Sequence, residues 1–124
     1  MKPGFVGWAV DRAERVSLLW RFPPRYAVVV ADHVTLKFGD REAELPIETA
    51  GEIVGVADDE AGVQALVVRI SGTTDRPDGS TYHITWSLGL GRQAKESNEV
   101  IARLGWRALE DAIPVRLTPS AYPR

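Results

Sequence analysis

The chain has two histidines, and each opens the same three-residue pattern. "DHVTLKFGD" (32–40) contains His33-Val34-Thr35, and "TYHITWSLG" (81–89) contains His83-Ile84-Thr85. Both stretches alternate apolar and polar residues, as a strand does when one face packs on a core. Alternation puts His33, Thr35 and Lys37 on one face of the first strand. It puts His83, Thr85 and Ser87 on one face of the second. Two imidazoles that titrate near pH ~6.5 can divide proton transfer at neutral pH. One, neutral, takes a proton from a nucleophile; the other, protonated, gives one to a leaving oxygen. Threonine hydroxyls between them donate to phosphate oxygens, and Lys37 adds a positive charge. Ser87 extends the second row, and Arg25, just before the first strand, is within reach of a phosphate. This constellation suits phosphodiester chemistry without a metal or other cofactor. Which histidine is base and which is acid stays open.

The elements that must position these residues can be read along the chain. "GFVGWAV" (4–10) predicts a strand. "DRAERVSLLWRF" (11–22) predicts a helix, with Asp11 as N-cap, Glu14 answering it, and Val16, Leu19 and Trp20 as the apolar stripe. Pro23 and Pro24 end it. Residues 26–39 read as one bent strand or two. Residues 46–72 read as a hairpin with arms near 47–57 and 63–71 around the turn "DDEAG". A turn-rich loop (73–80) leads to the second histidine strand. A helix within 91–106 is expected to cap near Ser97 and to turn Val100, Ile101 and Leu104 inward. A last strand (112–119) and a tail, "SAYPR", follow. Tyr82 and Trp86 read as core. Trp8, Tyr26 and Trp106 are candidates to stack a base at a groove rim.

At this point the residues resemble a known family. "HVTLKFG" and "HITWSL" are similar to the paired H-x-T/S motifs of the 2H phosphoesterases, especially the RNA ligase/cyclic phosphodiesterase branch. "ESNEVIARLGW" resembles the small Swiss-army-knife RNA-repair branch. The likeness covers roughly residues 26–106. It implies an α+β fold, compact and bilobal, whose antiparallel sheets form a groove with two helices outside. It implies His33, Thr35, His83 and Thr85 as catalytic residues. The implied reaction is hydrolysis of a 2′,3′-cyclic phosphate, or a related phosphodiester, on a nucleotide or RNA end. The alternative is a module of that fold that binds a nucleotide or cyclic oligonucleotide without turnover. The motifs stand closer together than in larger members of the family.

Composition bounds these readings. The 124 residues, 44% hydrophobic and 26% charged, suit a single domain spanning 1–124. The 15 basic residues do not outnumber the 17 acidic ones, and the net charge is −2. A protein gripping a long polyanion usually carries a basic excess, so no extended nucleic-acid footprint is expected. There is no cysteine, which excludes disulfides, thiolate chemistry and cysteine-based zinc sites. No apolar run approaches the ~20 residues of a membrane span, and charge comes too early for a secretory signal. A cytoplasmic protein with a nucleotide or RNA-end substrate is therefore expected. Oligomeric state is open.

Overall fold

The computed structural model describes residues 2–123. Its elements are β1 (Gly4–Val10), α1 (Arg12–Arg21), β2 (Val28–Val29), β3 (His33–Phe38), β4 (Ala50–Asp58), β5 (Val63–Arg69), β6 (His83–Leu88), α2 (Glu96–Leu104) and β7 (Arg107–Pro123). The strands run antiparallel in the order β6-β3-β1-β7-β4-β5, and β5 pairs back onto β6. Six strands thus close a barrel, and β2 adds to it through β6. The protein is mostly β. The expected bilobal arrangement is overturned: the two histidine strands are neighbours in one closed sheet, with Val34 paired to Ile84, not motifs on separate lobes.

Closure explains the apolar pattern. The interior is filled by Trp8, Val10, Val34, Ile53, Leu66, Val68, Ile84, Trp86, Val115 and Leu117. Each such side chain contributes about 1.5–3 kcal/mol through burial. The two indoles keep their polar handles satisfied: Trp8 Nε1 donates to Glu48 O (3.0 Å) and Trp86 Nε1 to Phe22 O (2.7 Å). β5 and β6 are buried on both faces. Their outer face is covered by α2, where Ile101 meets Ala65 and Val67, and Val100 meets Val63 and Leu88. α2 is amphipathic, but Leu104 is exposed rather than inward, and Ser97 is a buried residue inside the helix rather than its cap.

α1 begins where the sequence predicts. Asp11 accepts from the Glu14 amide. Its buried residue is Leu18, which with Leu19 and Phe22 packs on the interior. Val16 and Trp20, expected in the stripe, face solvent, and Trp20 is 84% exposed. The segment 26–39 does break into two strands. The break falls at Ala31, whose φ of +44° is costly for a residue with a Cβ. Arg15 holds the bend by donating to the carbonyls of Ala31 (2.7 Å) and Val30 (3.1 Å). β7 is far longer than expected. It pairs with β4 and then with β1, so most of "SAYPR" is strand and Tyr122 lies opposite Phe5. Among the described residues no helix is long and apolar enough to cross a membrane.

Candidate functional site

Val34 and Ile84 pair and point into the barrel. Their neighbours along each strand therefore point outward, and His33, Thr35, His83 and Thr85 meet on the outer surface. They line one cavity of about 160 Å³ with Phe5, Phe38, Arg76, Ala94, Lys95 and Asn98. β3 and β6 supply the floor, β1 supplies Phe5, and the start of α2 with the residues before it supplies Ala94, Lys95 and Asn98. The loop between β5 and β6 supplies Arg76. Backbones approach closely beneath the site. Gly7 lies opposite Thr35, and a Cβ there would sit 2.1 Å from Val34 O. Only glycine fits at that position.

The two imidazoles have different surroundings. His83 is buried, and its Nδ1 is 2.8 Å from Thr81 O. A carbonyl only accepts, so Nδ1 carries the proton, and Nε2 of the neutral ring is left as an acceptor. Burial holds His83 below the usual histidine pKa. The positive charges of Arg76 and His33 push the same way, against the Thr81 hydrogen bond. His33 is partly exposed, and its Nδ1 lies 3.2 Å from Asp32 Oδ2. Arg12 Nη2 binds the other oxygen of Asp32 at 2.7 Å. Burial opposes the charge on Asp32, yet Arg12 and His33 hold its carboxyl below the usual carboxylate range. The His33 ring also packs on Phe5 (centroids 5.0 Å) and Tyr122 (5.1 Å), which stack on each other at 4.7 Å.

The threonines differ too. Thr85 Oγ1 donates to Ala94 O (3.3 Å) and shares a 2.9 Å hydrogen bond with Ser97 Oγ. Its hydroxyl ties β6 to the start of α2. Thr35 is buried and forms no such tie among the described residues, so its hydroxyl is available to a ligand.

Three residues expected on the site face lie elsewhere, two of them for one reason. A bulge in β3 makes Val6 pair with Lys37 while Gly7 pairs with Thr35. The extra residue breaks the alternation. Lys37 turns away with Val6, and Phe38 takes the rim position beside Phe5 (5.7 Å). A second shift, between β5 and β6, pairs Gln64 with Ser87 and Ala65 with Thr85. Ser87 donates to Gln64 Oε1 (2.5 Å) and accepts from the Tyr26 amide (3.2 Å), which makes it a buried structural link. Arg25 is spent on Asp58 (2.5 Å) and Glu60 (3.1 Å), away from the cavity. Nor do the expected stacking residues line it: Trp8 is interior, Tyr26 donates to Asp58 (2.6 Å), and Trp106 borders a different depression.

Arg76 is the residue the sequence did not disclose. It is 4% exposed, unusual for an arginine. Nε and Nη2 bind Asp78 (3.2 Å each), and Nη2 also binds Asn98 Oδ1 (3.0 Å). The paired arginine is the main cause that drives the Asp78 carboxyl far below its ordinary range. Among the described residues Nη1 has no partner. A buried donor left unpaired costs about 1–3 kcal/mol, and Arg76 is one of the residues that line the cavity. The only sequence signal was an arginine in the turn-rich loop, seven residues before His83.

Larger depressions exist, about 1010 Å³ between α1 and β7 and about 750 Å³ near Trp106, but neither holds a histidine. Among the described residues no three histidine or carboxylate side chains are grouped to hold a metal ion. No protein-family model, curated protein or solved structure matches the chain.

Proposed function

We propose that the cavity is a phosphoryl site, in which His33 and His83 open a small phosphodiester by paired acid–base catalysis. The observation that carries this reading is that both histidines of the chain line one cavity with Thr35 and a buried arginine lacking one acceptor. Both Nδ1 atoms are engaged from behind, by Thr81 and Asp32. Each ring has Nε2 left for a substrate. His83, neutral, takes a proton from water; the water oxygen bonds to phosphorus; the P–O bond to a ribose oxygen breaks; and His33, protonated, gives that oxygen its proton. Arg76 and Thr35 bind the phosphoryl oxygens, where negative charge grows in the transition state.

Size narrows the substrate. At ~30 Å³ for each water-sized group, the cavity holds about five such groups. That is a phosphate and the edge of a sugar, so a chain can enter only by its end. A 2′,3′-cyclic phosphate on a nucleotide or RNA end fits these limits, and its ring strain favours opening.

The test is incubation with 2′,3′-cyclic nucleotides and short RNAs ending in a 2′,3′-cyclic phosphate, in the presence of a chelator. The expected product is a ring-opened monophosphate, lost when both histidines are replaced. Saturable binding without turnover would move the reading to a nucleotide-binding module. The absence of both binding and turnover would overturn it.

A further inference from the structure

We propose that the ring of Phe38 is a stacking platform for a nucleobase, so that the substrate class is nucleoside phosphates rather than base-free sugar phosphates or alkyl phosphodiesters. This rests on the phosphoryl reading above. On that reading a phosphate and a sugar edge fill the cavity, so the rest of a substrate lies at its rim. Phe38 stands there and is 52% exposed, a large cost in unburied apolar surface for a residue whose strand could have presented Lys37. The bulge in β3 is what exchanges the two, and bulges next to functional sites re-aim side chains in this way. The ring is held from behind. The Arg76 guanidinium carbon lies 5.3 Å from its centroid, and Phe5 packs against it at 5.7 Å. Phe5, His33 and Tyr122 pack on one another, whereas Phe38 keeps half of its surface free. A fixed, half-open ring stacks a base with little loss of freedom. It offers no hydrogen bond, so it accepts any base, and purines, with more stacking surface, better than pyrimidines. Because Arg76 lies under Phe38 and on the cavity, phosphate and base are read by adjoining groups.

The experiment is calorimetric binding of adenosine 3′-monophosphate and of its base-free counterpart, methyl riboside 3′-phosphate. Four proteins are compared: wild type, Phe38→Ala, Phe38→Leu and Phe38→Trp, each first shown to melt cooperatively. The wild type is expected to bind the nucleotide about tenfold or more tighter than the base-free compound. Phe38→Ala and Phe38→Leu should bring that ratio near one, since leucine keeps bulk but not a plane. Phe38→Trp should keep or raise it. A wild-type ratio near one, or an undiminished ratio in Phe38→Ala, overturns the platform while the phosphoryl reading stands. Failure of wild type to bind either compound overturns both.

Discussion

His33 and His83 stand on adjacent strands and line the same cavity, yet one is wrapped by the fold and the other is propped from its surface. His83 is buried beneath the start of α2 and fixed by a main-chain carbonyl. His33 sits at the edge, with a carboxylate behind it and two aromatic rings around it. In the proposed reaction this difference distinguishes the roles that the sequence leaves open. A ring desolvated and flanked by positive charge stays neutral and accepts a proton. A ring backed by Asp32 has a carboxylate at hand beside the proton it would give. The same contrast runs through the threonines: Thr85 ties elements together, while Thr35 is left for a ligand.

The largest effects should come from the rings. His83→Gln and His33→Gln are each expected to lower kcat by about 10²–10⁴ with cooperative melting retained. The double variant should lose little more than the worse single, because a reaction lacking either proton transfer already runs without concerted catalysis. Full additivity of the two losses, measured in kcat, would mean that the histidines act independently. Next comes Arg76→Met, which keeps an unbranched apolar stem and removes the guanidinium with its charge. Affinity for a nucleoside monophosphate should fall by about 10–100-fold, the worth of a charged hydrogen bond. Calorimetry on the folded variant checks it; unchanged affinity would show that the guanidinium serves only Asp78 and Asn98.

How much of this could be read beforehand follows from the same residues. The four His-x-Thr positions were legible because alternation is a local property, and it holds wherever a strand is regular. It fails at a bulge. Lys37 and Ser87 each lie two residues past a threonine, beyond a register shift that depends on a neighbouring strand. The barrel was illegible for a related reason. Closure needs the pairing of β7 with both β4 and β1 and of β3 with β6, contacts between distant parts of the chain that leave no local mark. β5 and β6, covered on both faces, look the same in sequence whether in a sandwich or a barrel. Arg76 escaped because burial of a loop arginine is decided by what folds over it.

The threonine pair gives a smaller test. Thr35→Val should lower kcat/KM about fivefold with stability kept, and Thr85→Val should lower stability by about 1 kcal/mol, each through one hydrogen bond. Equal activity losses and equal melting temperatures in the two variants would erase the contrast. Stability should also follow His83. Its pKa in the folded state lies below the ~6.5 of an unfolded histidine. The unfolded chain therefore binds more protons as pH falls from ~6.5 toward the lowered value, and stability drops through that window. His83→Gln should flatten that segment of a denaturant-midpoint profile; a wild type that gains stability there would contradict the burial argument. Smallest of all, Lys37→Ala should change kcat/KM less than about twofold, because the bulge turns it from the cavity.

The central claim is that both imidazoles act on one phosphate, and the most direct measurement is an NMR titration of the two imidazole ring nitrogens with adenosine 3′-monophosphate. Before ligand, His83 should show the tautomer protonated at Nδ1. On titration the Nε2 signals of His33 and His83 should shift together, with one shared saturation curve that Arg76→Met weakens. Shifts at only one ring, or two curves with different midpoints, would contradict the account.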